Sequence, residues 1–143
     1  IFLQYYADNP GARRTGHVGL HNCTEHQRVV RTAFDTEQSG PHLYKNTETA
    51  KRRAKLEKYP PFYYALNMLA QTRQQRLKTI RDTMDLFHHK HGGIHLVIID
   101  GAADLVSSAN NEAECTALIE ELYRLAGMYH TCIVFALHHI PNG

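Results

Sequence analysis

Two rhythms of apolar residues alternate along the chain: short unbroken runs, and stripes that repeat every three to four positions. Leu96 to Ile99 is an unbroken run that leads straight into Asp100 and Gly101. Arg28 to Phe34, with Val29, Val30 and Phe34, breaks into the polar run Asp35 to Pro41, and Cys132 to Leu137 ends in His138 and His139. Phe62 to Met68 is a further run, opened by Pro60-Pro61. Runs of this length bounded by turn residues suit strands buried on both faces of a parallel sheet. The stripes lie between them. Leu77, Ile80, Met84 and Phe87 mark one helical face after a possible Thr72 cap, closed by Gly92-Gly93. Leu118, Leu122 and Leu125 mark another, capped by Asn110 or Asn111 with Glu112 and Glu114 in its first turn. A helix is also expected from Pro41 to Lys58, with Leu43, Ala50, Ala54 and Leu56 inward. Ile1 to Asp8 reads as the end of an apolar helix stopped near Asn9-Pro10-Gly11, and Gly11 to Gln27 as a loop.

The resulting order, helix-β-α-β-α-β-α-β, predicts an α/β fold: a mainly parallel sheet with helices on both faces. Residues 28–143 form its core and 1–27 a helix end and loop, within one domain. Strands of such a sheet share a carboxyl edge, where ligands of open α/β folds bind. Three of these strands end in acid, acid and imidazole, so groups distant in sequence are expected to meet. Asp100 at that rim suits a Mg²⁺ ion, which is usually presented by one or two carboxylates together with phosphates. The competing reading is a turn or helix-capping aspartate.

Composition narrows the class without naming a partner. The 143 residues are 43% hydrophobic and 21% charged, with a net charge of +2, too small to argue for nucleic acid by itself. The cations are nevertheless uneven, with Lys51, Arg52, Arg53, Lys55 and Lys58 in one block. Three cysteines without a CxxC pair argue against a disulfide framework and favour the cytoplasm. No run approaches the roughly 20 apolar residues of a membrane helix. The chain opens inside an apolar stretch and stops just after a histidine pair, so a piece of a longer protein is expected.

The runs Phe34-Asp35-Thr36-Glu37-Gln38-Ser39, Leu96-Val97-Ile98-Ile99-Asp100-Gly101 and Phe135-Ala136-Leu137-His138-His139 resemble the RecA-like ATPase core. They are most similar to the RepA-type hexameric replicative helicases of bacterial plasmids and mobile elements. The resemblance implies ATP and Mg²⁺ as cofactors, with Asp100 as the Walker B residue holding the ion mainly through water. It implies Glu37 as the catalytic carboxylate that aims water, and His138 or His139 as the γ-phosphate sensor. DNA, single-stranded in its working form, is the implied partner, and a homo-oligomeric, hexameric ring the implied assembly. Phosphoryl transfer needs such positioning and charge neutralisation above all.

One part of that machinery is missing. A P-loop requires GxxxxGK[ST] between a strand and a helix. Gly11 to Gly16 has the glycine spacing, but His17 and Val18 stand where the lysine and hydroxyl belong. The match reads as accidental, and Ile1 to Asp8 then belongs to the helix after a P-loop lying upstream. These residues alone are expected to bind nucleotide poorly and to leave the edge of the last strand, and an apolar flank, uncovered. Rival readings are a recombinase-like or regulatory ATPase without unwinding, or a non-enzymatic remnant that serves as a binding module.

Other clusters have plainer explanations. His88, His89, His91 and His95 invite a zinc site, but a helix C-terminus that favours positive charge accounts for the first three equally well. Glu37 could instead cap the helix that follows its strand, as could Asp35, and Asp104 reads as a cap or solvated acid. The basic block, and Arg73, Arg76, Lys78 and Arg81 on the following helix, fit either a solvated face or phosphate contacts.

Overall fold

A computed structural model describes the backbone of residues 2–6 and the whole of residues 30–136. Five strands form one sheet: β1 (Phe2–Tyr6), β2 (Val30–Asp35), β3 (Tyr63–Asn67), β4 (Ile94–Asp100) and β5 (Cys132–Ala136). Their order across the sheet is β1-β5-β4-β2-β3. The last four run parallel, as the α/β reading expects, whereas β1 pairs antiparallel with β5, Phe2 opposite Ala136 and Tyr6 opposite Cys132. The apolar opening is thus a strand and not a helix end. Its aromatic residues suit extended backbone, and pairing with β5 satisfies amides that would otherwise line an open edge. The expectation of a bare edge on the last strand is corrected with it.

Three α-helices connect the parallel strands: α1 (Gly40–Arg53), α2 (Arg73–His91) and α3 (Glu112–Tyr129), and a 3₁₀ turn spans Ala102–Leu105. Helix α2 starts at a full capping box, in which Thr72 Oγ1 accepts from Gln75 N and Gln75 Oε1 accepts from Thr72 N. It stops at Gly92, whose φ of 76° is left-handed. Asn111 caps α3 by accepting from Glu114 N. Helix α1 is shorter than its sequence pattern suggests. It ends at Arg53, just before Lys55 at φ 55°, and contains no buried residue. Leu43, Ala50, Ala54 and Leu56 therefore do not form a core stripe.

The core lies on one side of the sheet. Val30, Phe34, Val97, Ile99 and Ile133 face Ile80, Met84 and Phe87 of α2 and Leu122, Leu125, Ala126 and Tyr129 of α3. The opposite side is covered unevenly. There α1 lies along β3, while Ile98 of β4 stays 38% exposed. Strand β4 is therefore buried on one face only, unlike the two-sided burial its apolar run implies. Chain direction explains the division of helices. From β2 to β3 the chain moves one way across the sheet; from β3 to β4 and from β4 to β5 it moves the other. Crossovers of a single hand must then put α1 on one face and α2 and α3 on the other. The reversal makes the carboxyl ends of β2 and β4, which are hydrogen-bonded neighbours, the topological switch point of the sheet.

Candidate functional site

The polar residues that follow β2 and β4 meet at this switch point. Asp35 and Asp100 are register partners on adjacent strands. One further backbone bond, Thr36 N to Asp100 O at 3.2 Å, extends the ladder past them. Asp35 is buried, and its Oδ1 accepts from Glu37 N at 3.0 Å and Gln38 N at 2.7 Å. That geometry fixes the turn ahead of α1 and is not the helix cap that the sequence also allows for Asp35. Ser39, and not Glu37, occupies the N-cap position of α1. The Glu37 side chain lies exposed, against Gly101.

Gly101 permits this closeness. Its φ is 85°, and a Cβ built there would collide with Thr36 Oγ1 and come within 2.9 Å of Glu37 Cγ and 3.2 Å of its Oε1. Only a residue without a side chain lets the two loops touch. Glu37 and Asp100, proposed from sequence to share a site, are thus brought to one rim. His138 and His139 lie outside the described residues, as do Gly11 to Val18.

Two residues that the sequence reading undervalues hold this rim together. Thr36 is 1% exposed, and its hydroxyl proton can serve Asp104 Oδ2 at 2.8 Å or the Asp100 and Gly101 carbonyls at 3.1 Å. Arg76, expected on a solvated or phosphate-binding face, instead turns inward. Its Nε donates to Met68 O, its Nη1 to Asp104 O and its Nη2 to Leu69 O, each at 3.2 Å. Its Nη1 also lies 3.6 Å from Asp104 Oδ2. Asp104 keeps its side chain 41% exposed, yet it does more than a cap or a solvated acid would. It links the loop after β4 to Thr36 on one side and to Arg76 on the other. The guanidinium ties that loop to the one after β3, with the end of β2 between them. A helix-face arginine at the position that meets two strand ends is the available signal, visible only once strand order is known.

Asp100 precedes Gly101 and Glu37 lies against it, and these two would be the residues to hold a Mg²⁺ ion, which asks for only one or two carboxylates because water and phosphate complete its shell. Among the described residues no three His, Cys, Asp or Glu side chains form a metal cage. The histidines of the cluster have separate neighbours. His88 lies against the Tyr129 ring, His89 on Asp85, and His91 against Tyr64 and Phe87. Burial and the Arg31 charge hold His95 below its usual pKa.

Comparison of the chain with protein-family models, with curated proteins and with solved structures finds no match. The site is therefore interpreted from its own residues. Among the described residues no helix is long and apolar enough to cross a membrane.

Proposed function

We propose that this chain is part of a cytoplasmic, ATP-hydrolysing RecA-like motor domain that acts on DNA, of the replicative or mobilisation helicase type. One observation carries the reading. At the sheet's topological switch point, Asp35-Thr36-Glu37 and Asp100-Gly101 come together at the rim where α/β folds bind phosphorylated ligands. Asp100 would organise Mg²⁺ through its waters and Glu37 would orient the attacking water. The resemblance would give His138 or His139 the role of sensing the γ-phosphate. A hexameric ring and single-stranded DNA follow from the resemblance alone. So does the choice of a helicase over a recombinase-like or regulatory ATPase, which strand-displacement and filament assays would separate.

The 143 residues contain no GxxxxGK[ST], so alone they hold a nucleotide weakly and turn it over negligibly. Amide shifts during a millimolar Mg²⁺-ATP titration test the reading at low affinity. Perturbations centred on Thr36, Glu37 and Gly101 support it. Perturbations confined to other loops, or micromolar affinity without a P-loop, contradict it. In a longer form carrying a P-loop, Glu37→Gln keeps nucleotide binding and stops hydrolysis; unchanged hydrolysis removes Glu37 from the mechanism.

A second reading, a non-enzymatic remnant, is favoured by β1. It lies antiparallel on β5, where the resemblance would put a parallel P-loop strand. A longer form that binds no nucleotide would decide for the remnant.

A further inference from the structure

The turn after α1 builds a cavity of about 260 Å³ at the amino end of β2 and β3, the rim opposite the acidic one. Its lining is mostly apolar. The Tyr59 and Tyr63 rings lie parallel, 9° apart in plane with centroids 6.5 Å apart. Two cations cover aromatic faces there: Lys51 Nζ is 4.7 Å from the Tyr59 ring centre, and Arg31 Cζ is 5.4 Å from that of Phe62. Glu48 is the acid that faces this cluster. Its carboxylate accepts from Tyr59 Oη at 2.6 Å and Lys51 Nζ at 3.0 Å, so it is already engaged.

Charge points the same way. Arg31 and residues 40–63 contain seven cations and two acids, a net +5 in a chain whose total is +2, which leaves −3 for the remainder. Part of this excess has a helical explanation, because cations favour the last turn of α1. The dipole does not explain why Arg31, on a different element, joins them, or why three aromatic rings gather under the same charges. At about 260 Å³ the cavity falls below the roughly 300–1,000 Å³ of drug-sized pockets. It suits one planar ring. Aromatic platforms inside a cationic surface are how single strands are held, with bases stacked and phosphates neutralised.

We infer that this cavity receives one base of single-stranded DNA, while Arg31 and the cations of α1 and its following turn meet the flanking phosphates. The site lies apart from the acidic rim, while the choice of DNA over RNA rests on the proposed function.

The test is a titration of the 143-residue chain with fluorescein-labelled dT15, an abasic strand of equal length, rU15 and a duplex, at two salt concentrations and without nucleotide triphosphate. Binding of dT15 is expected to weaken as salt rises. The abasic strand binds at least about five-fold less tightly, and Tyr63→Ala loses about ten-fold, within the range of one stacked base. Tyr63→Phe, which keeps the ring, stays within about two-fold. The chain has no tryptophan, so Tyr59→Trp supplies a single indole that dT15 quenches and the abasic strand does not. Equal binding of the abasic strand, or tighter binding of the duplex, overturns the base pocket; tighter binding of rU15 overturns the assignment to DNA. Without nucleotide triphosphate present, failure here counts against the cavity and not against the acidic rim.

Discussion

Gly101→Ala probes the contact on which the acidic rim depends. Two costs follow from the structure. At φ 85° an alanine pays about 1–2 kcal/mol for left-handed backbone. Its methyl also occupies the space of the buried Thr36 hydroxyl, and displacing that group from its acceptors costs a further ~1–3 kcal/mol. The expected loss is therefore about 2–5 kcal/mol. At roughly 3 °C per kcal/mol for a domain of this size, Tm falls by about 6–15 °C. Urea unfolding followed by circular dichroism measures the loss, and Thr36→Ala supplies the second arm of a double-mutant cycle. With the hydroxyl gone, Gly101→Ala should cost only the backbone part and the shift of the flexible Glu37 side chain, giving a coupling of roughly 1–3 kcal/mol. A loss below about 0.5 kcal/mol, or strictly additive effects, would refute the close approach of the two loops. The glycine would then be incidental to the placement of Glu37.

Arg76→Ala removes the guanidinium that the Met68, Leu69 and Asp104 carbonyls share, leaving Met68 O only its bond from Gln71 N, and should cost about 2 kcal/mol or more in urea unfolding. Arg76→Lys should not restore it, because one ammonium cannot reproduce the planar fork. Thr72→Ala removes the capping box of α2 and should cost about 1 kcal/mol by the same measurement. Glu121, hydrogen-bonded to Arg124 and Arg81, is held down to about 2 from the usual 4.5. A depressed carboxyl contributes its stability above the unfolded value and loses it as pH falls through the folded one. Wild type should therefore lose stability relative to Glu121→Gln between about pH 4.5 and 2, by up to ~1 kcal/mol at this partly solvated site. Parallel pH profiles for the two proteins would exclude that ion pair as a source of acid sensitivity.

The local pattern of the chain is enough to place most elements, because helix stripes and strand runs are short-range signals. Thr72 and Asn111 announce their helices, Gly92 ends one of them, and Ile80, Met84, Phe87, Leu122 and Leu125 mark the faces that become core. The acids that end β2 and β4 are legible for the same reason, since each simply closes an apolar run. What the pattern cannot carry is partnership. Phe2–Tyr6 reads as a helix until β5 offers it an unpaired edge, and Ile98 reads as fully buried until the second face proves only partly covered. Arg76 looks like a surface cation, yet strand order places three carbonyl oxygens around it. Strand order also turns Asp35 and Asp100 from two separate termini into neighbours, and it brings Arg31 to the rings of Tyr59, Phe62 and Tyr63. Sequence alone determined which segments could bury apolar surface; the direction of each crossover, a property of the assembled sheet, decided which polar groups met.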